Sequence, residues 1–111
     1  MATARGEAAV SLEIQKFLKT IGCSVYSCEQ GFRRDRGGTR QTPGIPDLIV
    51  FGIGPELPLF FCEVKGPRGK LRPSQIIFQA ECERMDVPYL VAWDVREVFD
   101  FLVEKGAIAT P

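Results

Sequence analysis

Two apolar runs joined by a short turn constrain the fold of this chain more than any other feature. The runs are DLIVF at residues 47–51 and LFFCEVK at 59–65, and the residues between them, 52–58, are rich in glycine and proline. Short apolar runs bounded by such residues are typical of buried strands. Strands with so short a connection usually pair antiparallel. We therefore expect a hairpin in the middle of the chain.

The remaining apolar pattern adds three helices and two strands. Residues 5–21 repeat apolar side chains at spacings of three and four up to Gly22, residues 23–28 suit a strand, and 30–44 form a long polar loop. A second helix starts at Ser74, a strand spans 89–93 with Trp93 assigned to the core, and Asp94 caps a third helix. The apolar positions of helices two and three are Ile77, Phe78, Cys82, Met85, Val98, Phe101 and Leu102. The predicted order is α-β-β-β-α-β-α, an α/β fold with a mixed central sheet flanked by helices, in a single domain over residues 1–111.

The residue types exclude several kinds of chemistry. The chain has no histidine, so Ser-His and Cys-His nucleophile pairs and imidazole metal sites are ruled out. Its four cysteines are irregularly spaced without a CxxC pair, which favours reduced, mostly buried thiols over disulfides or a zinc site. Carboxylates, lysine or a metal must therefore carry any reaction. No apolar run suits a membrane span or a signal peptide, so we expect a cytoplasmic protein.

The charges are unevenly distributed although the formal net charge is zero. Eight of the fourteen basic residues fall in two short windows, Arg33, Arg34, Arg36 and Arg40 in the first and Lys65, Arg68, Lys70 and Arg72 in the second. Seven of the fourteen acidic residues lie in the C-terminal third. Such polarity is compatible with an anionic ligand on one side of the molecule. Ordinary solvated charge is the alternative for the first window.

Three charged residues stand where the predicted hairpin strands begin and end. Glu63 and Lys65 alternate onto one face of their strand, and Asp47 opens the preceding strand, so the hairpin can bring both carboxylates together. Two close carboxylates repel each other unless a cation lies between them, and oxygen ligands suit Mg²⁺ or Mn²⁺. A metal site is one interpretation. A surface salt bridge between Glu63 and Lys65, with Asp47 as a turn residue, is the other.

The wider motif resembles the PD-(D/E)xK nuclease superfamily and, within it, the VRR-Nuc family. Pro46-Asp47 is followed after fifteen residues by Glu63-Val64-Lys65, and then by Gly69-Lys70-Leu71-Arg72-Pro73-Ser74-Gln75, which is similar to the family's basic G-K-L-x-P-x-Q segment. The similarity covers about residues 7–102. It implies a restriction-endonuclease-like core and phosphodiester hydrolysis with Mg²⁺ or Mn²⁺.

The resemblance also implies roles for individual residues. Asp47, Glu63 and the backbone carbonyl of Val64 would be metal ligands, Lys65 the catalytic lysine, and Gln75 a polar residue beside them. The family also places a glutamate on the first helix. Here Glu7 falls within the apolar stripe of that helix and Glu13 on its flank, so we take Glu7 as the ligand and Glu13 as the alternative.

The resemblance implies DNA as the partner. The basic residues already named, except Lys65, are the candidate contacts to phosphates. Single-domain members resemble Holliday junction resolvases of bacteria and phages, so we expect a homodimer that cuts four-way junctions. Flap cleavage, non-specific cleavage, or DNA binding without catalysis in a protein that keeps the fold are the alternatives.

Overall fold

The computed structural model of the protein describes residues 6–28 and 42–109. It confirms the predicted order of three helices and four strands. The elements are α1 (Glu7–Thr20), β1 (Ser24–Ser27), β2 (Leu48–Phe51), β3 (Leu59–Val64), α2 (Pro73–Arg84), β4 (Tyr89–Ala92) and α3 (Val95–Glu104). The described helices include none that is both long and apolar enough to cross a membrane.

The four strands form one mixed sheet in the order β1-β2-β3-β4. The β1–β2 and β2–β3 pairs are antiparallel, which confirms the hairpin, and the β3–β4 pair is parallel. Leu48 pairs with Cys62, and Val64 pairs with Ala92. The start of β2 and the ends of β3 and β4 therefore lie at one edge of the sheet, which we call the site edge.

The main core lies between the sheet and helices α1 and α3. Alternate residues of β3, among them Phe60 and Cys62, are fully buried there, and the Phe60 ring packs against Phe101 with centroids 5.1 Å apart. The opposite side chains of β3 face α2, where the rings of Phe61 and Phe78 are 5.3 Å apart. Because each strand presents alternate residues to opposite faces, Glu63 shares the α2 face with Phe61.

Two packing predictions are wrong. Helix α2 forms as expected, but Ile77 and Met85 are 66% and 60% exposed, and its fully buried residues are Gln75 and Cys82. The helix contacts β3 through Phe78 and Gln75. Ile77 and Met85 point away from this contact and lie in solvent. Trp93, assigned to the core, is 40% exposed because β4 ends at Ala92, before the tryptophan.

The capping and cysteine predictions fare better. The Asp94 side chain accepts a hydrogen bond from the Glu97 N–H, as expected for the residue that starts α3. All four cysteines are reduced thiols, and only Cys28 is incompletely buried. Burial raises the pKa of the Cys62 thiol strongly, so this residue is an inert part of the core.

Candidate functional site

The Pro46-Asp47 turn places one carboxylate at the site edge. Asp47 lies one residue before Leu48, level with Glu63 across the hairpin, and its Oδ2 accepts a hydrogen bond of 2.8 Å from the Val64 N–H. The preceding turn contains Gly44 with φ +93°, and a Cβ on this glycine would overlap the backbone carbonyl of Ser74. The turn that carries Asp47 is thus packed directly against the first turn of α2.

Glu63 and Lys65 are buried together at the end of β3. Their exposures are 1% and 6%, and the Lys65 ammonium lies 3.4 Å from Glu63 Oε2. The alternative of a surface salt bridge is therefore wrong. Burial of a charged pair costs desolvation energy that a single ion pair seldom offsets, so such a pair depends on further hydrogen bonds.

Gln75 supplies those hydrogen bonds. Its Oε1 accepts from the Lys65 ammonium at 2.9 Å and from the Arg72 N–H at 2.8 Å, and its Nε2 donates to Glu63 Oε2 at 2.8 Å. The side chain is 3% exposed and stands in the first turn of α2. Because two donors fix its oxygen, the amide can turn only its nitrogen toward Glu63. Gln75 therefore orients the lysine and the glutamate at once.

One oxygen of Glu63 has no partner among the described residues. Its Oε1 is buried and makes no hydrogen bond to them, whereas Oε2 contacts Gln75 and Lys65. Burial, together with the nearby negative charge of Asp47, raises the pKa of Glu63 to about 7, although the Lys65 ammonium acts in the opposite direction. A buried acceptor beside a second carboxylate is an unfavourable arrangement unless a cation or donor satisfies it.

The donors at this edge fit a small divalent cation. Mg²⁺ is commonly held by only one or two carboxylates and completes its shell with water and substrate phosphates. Asp47 and Glu63 can supply such a pair, with the unpartnered Oε1 as a ready ligand. In the described part of the chain, no three histidine, cysteine, aspartate or glutamate side chains are grouped closely enough to hold a metal.

The expected burial of Glu7 is wrong. Helix α1 begins at this residue, and its side chain is exposed because it lies at the end of the helix. The Glu7 backbone nitrogen nevertheless lies 3.2 Å from the position that a Cβ on Gly66 would occupy, which places the residue beside the end of β3. Glu13, which is partly buried, lies about 9 Å further along the helix axis. The ligand role of Glu7 stays a prediction.

The two basic windows differ in what the structure describes. Arg33, Arg34, Arg36 and Arg40 lie outside the described residues. Arg68, Lys70 and Arg72 are exposed between β3 and α2, next to the site edge. The second window therefore lies where its side chains can contact a ligand bound at Asp47 and Glu63.

Two aromatic residues near the cluster were given no role at the site by the sequence reasoning. In the described part of the chain, the buried Tyr89 hydroxyl of β4 has no hydrogen-bond partner, and burial, followed by the charge of Glu63, raises the pKa of Tyr89. Its register against Phe61 places it on the α2 face, next to the Phe78 ring. Trp93 follows β4 directly at the site edge. The positions of Tyr89 and Trp93 depend on the register of the parallel β3–β4 pair, which no motif in the sequence predicts.

Comparison with known proteins supports the fold. A solved structure described as a VRR_NUC domain superposes with a TM-score of 0.65 and 22% sequence identity, and the match covers 88% of this chain and 94% of that one. This likeness confirms the predicted fold, a mixed sheet flanked by helices as in a VRR-Nuc domain. No protein-family model matches the sequence, and no curated protein matches it significantly.

Proposed function

We propose that this protein is a metal-dependent endonuclease that hydrolyses phosphodiester bonds in branched DNA, with four-way junctions as its substrate and a homodimer as its working form. One observation carries the proposal. The carboxylates of Asp47 and Glu63 lie close together beside a buried lysine, and Glu63 Oε1 has no partner among the residues that the structure describes. The VRR_NUC-like fold supports the nuclease assignment.

The metal would be Mg²⁺ or Mn²⁺. Asp47, Glu63 and the backbone carbonyl of Val64 would hold it, and Glu7 could add a ligand from the start of α1. When bound, such an ion supplies a Lewis acid for the phosphodiester and lowers the pKa of a bound water. The pairing of Asp47 Oδ2 with the Val64 N–H keeps this carboxylate in place before any ligand arrives.

Lys65 would interact with the substrate phosphate rather than serve to stabilise the fold. Its ammonium group can donate three hydrogen bonds, and the described contacts are to Gln75 Oε1 at 2.9 Å and Glu63 Oε2 at 3.4 Å. A remaining proton can orient the attacking water or stabilise the charge that develops on the phosphate. Gln75 would be a positioning residue, because it touches both Lys65 and Glu63.

The substrate class follows from charge and size. Arg68, Lys70 and Arg72 would contact phosphates on one side of the cluster, with Arg33, Arg34, Arg36 and Arg40 contributing further contacts. A domain of this size has little surface with which to hold a junction. Two copies related by a two-fold axis match the symmetry of a four-way junction and cut two strands equivalently.

The test is cleavage of labelled four-way junction, flap and linear duplex DNAs with Mg²⁺ or Mn²⁺. Glu63→Gln and Asp47→Asn each remove a negative ligand, so we expect each to lower the cleavage rate by roughly a hundredfold or more. Glu104→Gln is the matched control, since Glu104 is exposed at the last turn of α3. Light scattering of the purified protein would test the homodimer.

The pattern of cleavage decides among the alternatives. Paired symmetric cuts in the junction that need both carboxylates would support a resolvase. Cutting of flaps or duplex would keep the nuclease and refute the junction preference. Junction binding without cutting under either metal would refute catalysis and favour a DNA-binding module of the same fold.

A further inference from the structure

Trp93 stands beside the proposed site but has no part in it. It is the chain's single tryptophan, and 40% of it is exposed. The Lys65 N–H donates to the carbonyl of Ala92 at 2.9 Å, and Trp93 follows Ala92 directly. Trp93 therefore lies just past the end of the β3–β4 pair, beside Lys65.

Two hydrogen bonds hold Trp93 in a defined orientation. The indole Nε1–H donates to the Gly69 carbonyl at 3.2 Å, and the backbone N–H donates to Glu97 Oε1 at 2.6 Å. An exposed ring fixed in this way loses little conformational freedom when a flat ligand covers it. A tryptophan that only filled the core would not have this exposure.

The loop that the indole contacts is the basic segment between β3 and α2. Its backbone packs on the stem of Lys65, since a Cβ on Gly69 would lie 3.1 Å from both Cβ and Cδ of that lysine. The Gly69 N–H donates to the Gly66 carbonyl at 2.9 Å and closes the turn. The indole therefore contacts the loop that packs on the buried stem of Lys65.

Charge is distributed asymmetrically around the indole. The loop on the Gly69 side carries the exposed Arg68 and Lys70, whereas the first turn of the helix after Trp93 has two acidic residues, Asp94 and Glu97, and one basic residue, Arg96. Phosphates are therefore attracted more strongly to the first side than to the second. A nucleotide strand would thus run its backbone over the basic loop and leave a base against the ring.

We infer that Trp93 is a stacking platform for an unpaired DNA base beside the cleavage site. Bases stack on aromatic side chains regardless of sequence, but in a continuous duplex their faces are already covered by neighbouring bases. The platform therefore selects DNA whose bases are exposed at a branch point or in a single strand. This inference rests on the proposed function, because it names the feature of DNA that the same site recognises.

The test is binding without divalent metal, in EDTA, so that it does not depend on cleavage. Titration with oligothymidylate should quench the fluorescence of Trp93, whose signal is unmixed because no other tryptophan is present. Trp93→Ala should weaken binding of oligothymidylate and of the four-way junction by roughly tenfold or more, and binding of linear duplex much less. Trp93→Phe keeps a ring and should retain most of the affinity.

Controls separate stacking from support of the loop. Both substitutions remove the hydrogen bond to Gly69, so equal losses for Ala and Phe on all three DNAs would mean that Trp93 only braces the loop, and would overturn the inference. Phe51→Ala removes another exposed aromatic ring at the opposite edge of the sheet and should change nothing. Binding without quenching would refute the platform while leaving the nuclease proposal intact. Failure to bind any DNA, with or without divalent metal, would refute the proposed function itself.

Discussion

The residue that connects Glu63 with Lys65 is Gln75, a neutral side chain between two charged ones. Its oxygen faces two donors and its nitrogen faces Glu63, so all its contacts are directional. Sequence reasoning named this residue from the resemblance alone. The periodicity of α2 places it on the same face as Phe78 and Cys82, but a buried glutamine is recognisable only from its partners.

Replacement of Gln75 by methionine tests this arrangement. The change keeps a side chain of similar length and leaves the Arg72 N–H, the Lys65 ammonium and Glu63 each with one partner fewer. We expect the free energy of unfolding to fall by about 1–3 kcal/mol, the usual cost of unsatisfied buried polar groups. Urea denaturation would measure it. Gln79→Met on the same helix is the control, with an expected change within about 0.5 kcal/mol, and equal losses would contradict the role given to Gln75.

Glu63 predicts a pH dependence of stability in the metal-free protein. Its pKa is raised to about 7 by burial and by Asp47, above the 4.5 of an unperturbed glutamate. Between these values the folded state holds more protons than the unfolded state, so stability falls as pH rises from about 4.5 through 7. Urea denaturation in EDTA at a series of pH values should show this decline, and Glu63→Gln should reduce it. Identical pH profiles for both proteins would refute the prediction.

At the scale of elements, the site depends on three segments that meet at one edge of the sheet. The turn before β2 carries Asp47, the end of β3 carries Glu63 and Lys65, and the first turn of α2 carries Gln75. The element order and the hairpin were predictable because their periodicity is local. The exposed face of α2 and the position of Trp93 were not, because they depend on how far a neighbouring element extends.

Gly44 predicts how tightly two of these segments are fitted. Its φ of +93° disfavours any side chain, and a Cβ would overlap the Ser74 carbonyl. Gly44→Ala should therefore cost about 1–3 kcal/mol in stability and move the Asp47 turn away from α2. Thermal denaturation measures the first effect, and Mn²⁺ titration monitored by calorimetry measures the second. Gly6→Ala, with no atom within 4 Å of the added methyl group, should cost less stability and leave the Asp47 turn in place.

At the scale of the whole molecule, opposite edges of the sheet have different roles. Lys105 follows the last turn of α3. A Cβ added to the next residue, Gly106, would lie 3.9 Å from Glu56 in the β2–β3 turn. This edge is remote from Asp47. The uneven charge of the sequence was informative because the second basic window lies at the site edge, although no composition value could specify which edge it would occupy.

The salt dependence of DNA binding should reflect this polarity. Each phosphate contact that is lost lowers the slope of log affinity against log salt by about 0.9 for duplex DNA. Arg68→Gln, Lys70→Gln and Arg72→Gln should each reduce the slope, whereas Lys105→Gln at the remote edge should not. Fluorescence anisotropy of a labelled duplex at several salt concentrations is the measurement. Equal effects at both edges would contradict a single DNA-binding face.

Cys62 makes the opening of the central strand observable. This thiol has no exposed surface, and it immediately precedes Glu63 in β3. A variant in which the other three cysteines are replaced by serine or alanine would react with an alkylating reagent only at moments when β3 separates from its neighbours. The alkylation rate would then report how often β3 opens. A metal ion held by Asp47 and Glu63 would stabilise the pairing of β2 with β3. The alkylation of the buried Cys62 sulfur would then become slower.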